Sequence, residues 1–377
     1  MLASRQKLFA AVAALCVIGA GVALLFGALS SHSSNTNARV GLDAHAIVVQ
    51  GNPVQKARNV ETSPDAPSAP PPPQVPISER GIEPGTRSPT PPHPATQRPS
   101  AVVVRAQNPG NPRLNGALTI VPIGGGTPKV DKLFCERIAF NAGRGICLSG
   151  LGTTSQVSIL DEHFHTVKTL QVPGLPSRAR VSPDGRYGAI TDFVVGHAYA
   201  TPGTFSTYTA LIDLRRGTVI TNLEKFATIN NGKIVDAPDV NYWGVTFTGD
   251  SNRYYATLAT GGRTYLVAGD IRRRQMWTLR QNVECPSLSP DGTRIAYKKL
   301  VGRAGHWRLH VLDLRTMRDT PLSEQRSIDD QAEWLDDDHV LYSDGSGVWS
   351  ARADGTGRPR RLLTHAASPI VIWSPST

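Results

Sequence analysis

Leu288-Ser289-Pro290-Asp291-Gly292-Thr293-Arg294-Ile295-Ala296-Tyr297 reads as a strand, a tight turn and a second strand. Asp-Gly between two apolar runs is a strong hairpin signal, because Gly accepts a positive φ and Asp tolerates one while bonding to nearby backbone. Pro290 cannot donate to a ladder, so it belongs at a strand end. Ile295 and Tyr297 fall on one strand face. The unit returns as Val181-Ser182-Pro183-Asp184-Gly185-Arg186-Tyr187, as Phe247-Thr248-Gly249-Asp250 followed by Arg253-Tyr254-Tyr255, and as Trp334 to Tyr342 around Asp336-Asp337-Asp338. A half-copy, Trp373-Ser374-Pro375, stands near the end of the chain. Thr248 to Ser289 is 41 residues, Ser289 to Leu335 is 46 and Leu335 to Ser374 is 39. Periods near 40 with four strand-sized runs each mark the blades of a β-propeller.

From Ala117 onward the chain is nearly all strand and turn. Blades start near Phe134, Arg178, Tyr242, Val283 and Asp330, which makes five full blades. Third strands read as Val157–Leu160, Ala210–Asp213, Thr264–Val267 and Leu309–Leu312. Ala117–Pro122 and Thr127–Leu133 are two outer strands of a sixth blade, and Ser368–Ser374 supplies its inner strand. Closure by both termini removes the free edges of an open ring. The expected fold is therefore an all-β six-bladed propeller over residues 114–377. Two stretches interrupt it, Val194–Thr207 and Phe226–Asn241. Long loops on a rigid ring are a usual place for recognition, and a flexible excursion is the alternative.

The segments ahead of the propeller differ in kind. Arg5 and Lys7 precede an apolar run from Leu8 to Leu29. Those 22 residues span about 33 Å as a helix, close to a bilayer core. The positive flank sets residues 1–7 in the cytoplasm and the bulk of the chain outside. The run reads as an uncleaved signal anchor, with cleavage after Ser30 as the rival reading. Cys16 lies inside the run. Residues 30–113 read as a disordered linker: Thr62 to Ser100 holds 13 prolines and almost no aromatic residue, too little apolar surface to fold. Such a stretch is a semi-rigid spacer of up to ~120 Å. Ala101-Val102-Val103-Val104 reads as a stray strand at its end. The expected location is the cell membrane, single-pass, with the C-terminal domain outside the cytoplasm.

With Ser-Pro-Asp-Gly at 182–185 and 289–292, and Ala353-Asp354-Gly355 before Arg361-Leu362-Leu363-Thr364, the domain resembles the TolB-like propellers over residues 117–377. The resemblance implies the propeller fold and protein–protein binding, with no catalysis and no required cofactor. Members that carry an α/β domain ahead of the propeller are similar only in part. The chain is more similar to the membrane-anchored, largely uncharacterised members.

Cys135 and Cys147 flank a hairpin whose turn is Asn141-Ala142-Gly143-Arg144-Gly145, and an extracytoplasmic domain permits a disulfide between them. Cys285 occupies the repeat position of Cys135, so a Cys135–Cys285 bond across the channel ranks second. Unpaired, Cys285 reads as a small buried apolar residue rather than a nucleophile. Asp161-Glu162-His163-Phe164-His165 has two His on one strand face but no further ligands, and reads as a solvated turn. Asp329-Asp330 and Asp336-Asp337-Asp338 match no calcium loop. No metal site, catalytic residue or cofactor site is assigned. No Gly-x-Ser-x-Gly elbow and no phosphate-cradling loop is present; Gly124-Gly125-Gly126 is a turn. The six Trp spread over the blades as inter-blade packing.

The formal net charge is +10. Arg215-Arg216, Arg272-Arg273-Arg274 and Arg358, Arg360 and Arg361 form basic turns that suit an anionic partner if they share a face. Aromatic interleaving of the kind that stacks bases is absent, so no nucleic acid is expected. The leading expectation is a non-enzymatic protein-binding or scaffold module in the cell envelope, with an envelope protein as partner. The alternative is a propeller enzyme or small-ligand receptor acting on an envelope carbohydrate through the central channel. In that case Glu136, Glu284 and Glu333, near the starts of inner strands, are the candidate acids.

Overall fold

In the computed structural model the residues described are 91–93, 97–107, 110–111, 114–194, 206–302 and 305–375. The expected cytoplasmic segment 1–7, the span 8–29, most of the linker 30–113 and the tip of the first insertion lie outside them. Among the described residues no helix is long and apolar enough to cross a membrane.

The first strands are β1 (Gln97–Ala106), β2 (Ala117–Pro122) and β3 (Lys129–Phe134). Blade 1 is β4 (Arg137–Asn141), β5 (Arg144–Leu151), β6 (Thr154–Leu160) and β7 (Thr166–Pro173). Blade 2 is β8 (Leu175–Val181), β9 (Tyr187–Val194), β10 (Ser206–Asp213) and β11 (Thr218–Asn222). The second insertion forms β12 (Ala227–Asn230) and β13 (Lys233–Ile234). Blade 3 is β14 (Asn241–Phe247), β15 (Arg253–Thr260), β16 (Arg263–Asp270) and β17 (Gln275–Gln281). Blade 4 is β18 (Glu284–Leu288), β19 (Arg294–Leu300), β20 (Trp307–Asp313) and β21 (Asp319–Pro321). Blade 5 is β22 (Glu333–Trp334), β23 (His339–Ser343), β24 (Gly347–Arg352) and β25 (Arg360–Thr364). The last strand, β26 (Ala366–Pro375), is the inner strand of a sheet ordered β26-β1-β2-β3. The sixth blade is thus closed by both ends of the domain, as the repeat predicts.

Two expectations need correction. The linker was expected to run to residue 113, and Ala101–Val104 to be a stray strand. These residues instead sit in β1, which is paired on both sides: Val102 faces Val121 on β2 and Val371 on β26. Val103 is fully buried. An apolar run that covers an inner strand on one side and an outer strand on the other is held by two ladders, whatever its proline-rich flank suggests. The second insertion is also not a free loop. β12 runs parallel to β17, with Ala227 opposite Gln275, and β13 pairs with β12, so blade 3 becomes a six-stranded sheet.

The Ser-Pro-Asp-Gly turns close by side-chain bonds to their own backbone. Ser182 Oγ donates to Asp184 Oδ1 at 2.6 Å, and Asp184 Oδ1 also accepts from the Arg186 amide at 3.0 Å. Ser289 and Asp291 repeat the arrangement, with Asp291 Oδ1 accepting from the Thr293 amide at 2.9 Å. Burial draws the Asp184 carboxyl upward, but these bonds hold it below its ordinary value. Gly185 has φ +66°, and a Cβ there would lie 3.1 Å from the Ala142 carbonyl oxygen of the neighbouring turn. Neighbouring inner turns also bond to each other: the Asp291 amide donates to Asp337 Oδ1 at 3.0 Å. The Asp184 amide likewise donates to Ser251 Oγ at 3.3 Å, so the hoop of turns around one end of the channel is bonded between blades 2 and 3 and between blades 4 and 5.

In a four-stranded antiparallel blade the 1–2 and 3–4 turns emerge at the same end. The hoop of inner turns and the outer turns therefore share one face. The apolar core lies between blades, as in the cluster of Ile146, Leu148, Ile190 and Ile212 that joins blades 1 and 2. Cys135 and Cys147 are disulfide-bonded, with Cα atoms 5.3 Å apart, and pack with Val103, Leu118 and Ile370 between blade 1 and the closing blade.

Candidate binding channel

The inner strands carry charge where a core would be apolar. Arg137 on β4, Arg178 and Arg180 on β8, and Lys298 on β19 meet Glu284 on β18, Asp329 and Asp330 ahead of β22, and Glu333 on β22. Arg180 Nη2 lies 3.0 Å from Glu333 Oε2, and Arg137 Nη1 lies 3.7 Å from Asp330 Oδ1. Lys298 Nζ is 2.5 Å from Asp329 Oδ1 and 3.9 Å from Glu284 Oε2. Arg178 Nη2 is 3.6 Å from Asp329 Oδ1. Arg180–Glu333 joins blade 2 to blade 5, Arg137–Asp330 and Arg178–Asp329 join blades 1 and 2 to the segment ahead of β22, and Lys298–Glu284 lies within blade 4.

Burial and pairing oppose each other here. Burial raises the Glu333 carboxyl, and Arg180 pulls it back. Burial likewise raises Glu284, against Lys298 and the Trp307 indole, whose Nε1 donates to Glu284 Oε1 at 3.0 Å. Burial pulls Lys298 down, but Cys285 and Asp329 beside it leave it raised. Gln331 Nε2 donates to the Pro286 carbonyl at 3.1 Å, tying blade 5 to blade 4. The Cys285 backbone packs so closely on Gly244 that a Cβ there would lie 2.6 Å from Cys285 Cα, so Gly244 holds two inner strands together.

Of the three candidate glutamates the structure brings two, Glu284 and Glu333, into this network. Glu136 is exposed and accepts from the Gly150 amide at 3.0 Å, away from both. The cations were not singled out from the sequence, although Arg178 and Arg180 at alternate positions of an inner strand are a readable signal. Cys285 is free and buried. His163 and His165 sit on the β6–β7 turn, where Asp161 Oδ1 accepts from both backbone amides at 2.9 Å. Asp336 caps its own turn by accepting from the Asp338 amide at 2.8 Å. Among the described residues no group of acids, His and Cys is arranged to hold a metal ion.

At the turn face the channel opens into a cavity of about 60 Å³, lined from all six blades by residues that include Phe140, Arg180, Phe247, Pro290, Glu333 and Trp373. That is far below the ~300 Å³ or more of a typical ligand pocket. Around this mouth the outer turns of four consecutive blades carry exposed arginines: Arg215 and Arg216, Arg272 to Arg274, Arg315 and Arg318, and Arg358. The basic turns do share a face, and blade 4 adds to the set expected from sequence.

No protein-family model matches the chain, and no curated protein matches it. Among solved structures, TolB from Acinetobacter baumannii is similar, with a TM-score of 0.53 at 17% identity over 73% of this chain and 67% of that one. A TolB structure from Agrobacterium tumefaciens gives a TM-score of 0.43 at 12% identity over 72% of this chain and 91% of that one. The likeness is one of architecture: the domain is a six-bladed β-propeller similar in fold to the Acinetobacter TolB structure.

Proposed function

We propose that this propeller is a non-enzymatic protein-binding module of the cell envelope, carried outside the cytoplasm on the apolar segment 8–29 and a proline-rich spacer. One observation carries the reading. The acids of the channel are each engaged by a cation, an indole or a backbone amide, so the network locks blades together and leaves no paired acid and base aimed at a substrate. Binding then falls to the turn face, where the outer turns carry the exposed arginines; the β9–β10 insertion leaves from the opposite end of blade 2.

Crosslinking in intact membranes tests this, with full-length protein tagged after Thr377. The expected result is a reproducible envelope-protein partner, reduced when the turn-face arginines Arg215, Arg216 and Arg272 to Arg274 are replaced by Ser. Retained glycan or lipid fragments without any protein partner would overturn it in favour of a receptor or enzyme using the channel.

A further inference from the structure

Ahead of β1, residues Pro92 and His93 form part of the wall of the channel mouth. Pro92 is buried. The His93 ring stacks on Trp373 of β26, with centroids 4.3 Å apart and planes inclined by 12°. Its backbone amide donates to the Pro290 carbonyl at 3.2 Å, on the inner turn of blade 4. Its Nδ1 shares a hydrogen bond with Gln97 Oε1 at 3.0 Å. The segment thus touches the closing blade and blade 4 across the opening.

The chemistry on both sides is specific. Ser88-Pro89-Thr90-Pro91-Pro92-His93-Pro94 lacks the apolar content to fold alone, and its prolines favour an extended polyproline conformation. Such segments dock in aromatic-lined grooves with little loss of chain entropy, because the conformation is preset. The mouth offers that lining in Phe140, Phe247, Trp334 and Trp373. Its charged groups are Arg180 and Glu333, already paired with each other at 3.0 Å, so a neutral ring fits best. Burial lowers His93 to about 4, which keeps the imidazole uncharged on the indole.

We propose that the channel mouth is a recognition site for a proline-rich segment bearing a planar ring, filled in cis by Pro92–His93, and that a protein partner presenting a segment of the same chemistry displaces it. This rests on the protein-binding reading and names its site. Among the described residues, His93 is held by one ring stack and two hydrogen bonds, contacts that a competing ring of the same kind can replace.

The test uses the full chain and a fluorescein-labelled peptide with the sequence of residues 86–96, followed by anisotropy. The His93→Ala protein should bind the peptide at least tenfold more tightly than wild type, because its own segment no longer competes. Adding Trp373→Leu should remove that gain; if Trp373→Leu lowers the thermal midpoint, Phe140→Leu across the mouth takes its place. Equal binding to wild type and His93→Ala, or binding indifferent to both mouth substitutions, would overturn the site. So would a His93 ring that titrates by NMR near 6.5 in wild type, since a docked ring titrates well below that value. Wild-type protein that takes up peptide only on dimerising would also overturn it in favour of exchange between copies. If the peptide fails while crosslinking still recovers a protein partner, this site alone is wrong; if both fail, the protein-binding reading falls with it.

Discussion

Asp192 on β9 is fully buried, and Ser155 beside it only partly offsets that burial. Burial pushes its pKa from 3.8 up to about 7. The folded chain therefore holds a proton that the unfolded chain releases above pH 3.8, and stability falls as pH rises from there to about 7. Asp192→Asn should raise the unfolding free energy from urea titration at pH 8, by on the order of 2–4 kcal/mol, and change it little at pH 4. An equal gain at both values would mean that the carboxyl is not the buried acid. The Arg180–Glu333 pair makes a different forecast. Glu333→Ala leaves a buried guanidinium without its partner and should cost about 3 kcal/mol, whereas Arg180→Met with Glu333→Leu should cost much less. Denaturation of the two proteins side by side decides it. At this scale Glu284 and Glu333 were legible in the sequence because they stand near inner-strand starts. Their partners were not, because Arg180 and Glu333 lie on different blades and no local pattern pairs them.

Elements were legible where the signal is local. Ser182 and Asp184, or Ser289 and Asp291, bond to backbone within five residues, so turn chemistry alone announces the inner hairpins. The pairing of Cys135 with Cys147 followed from a short hairpin for the same reason. β1 was missed because its partners lie at opposite ends of the domain and prolines crowd the stretch before it. β12 was missed because it joins β17 in parallel, a pairing with no hairpin signature. The disulfide, with a sequence separation of 12, should contribute about 2–3 kcal/mol. Reduction under native conditions should lower the urea midpoint accordingly. A midpoint that reductant leaves unmoved would show that blade packing around Val103 and Leu118 holds this corner unaided.

For the whole molecule, the ring depends on β26. A chain ending after Thr364 lacks the inner strand of the closing blade and leaves β1 with one unpaired edge. Calorimetry should then show a broad transition in place of one cooperative peak, and light scattering should show association. A sharp, unchanged transition would mean that five blades suffice. Period and closure were readable in the sequence because every blade repeats the same turn; the placement of the basic turns on one face followed once strand order was known.

The way β1 is held has a mechanical consequence. Tension applied between Gln97 and the body of the ring acts along the strand, so the ladders to β2 and β26 must shear together. Tension applied between Gln97 and Pro375, which face each other in the register, would peel the same strand away one pair at a time. The closure is strong against a pull from its leading end and weak against one that separates its two ends, so rupture force should depend on where the handles are attached.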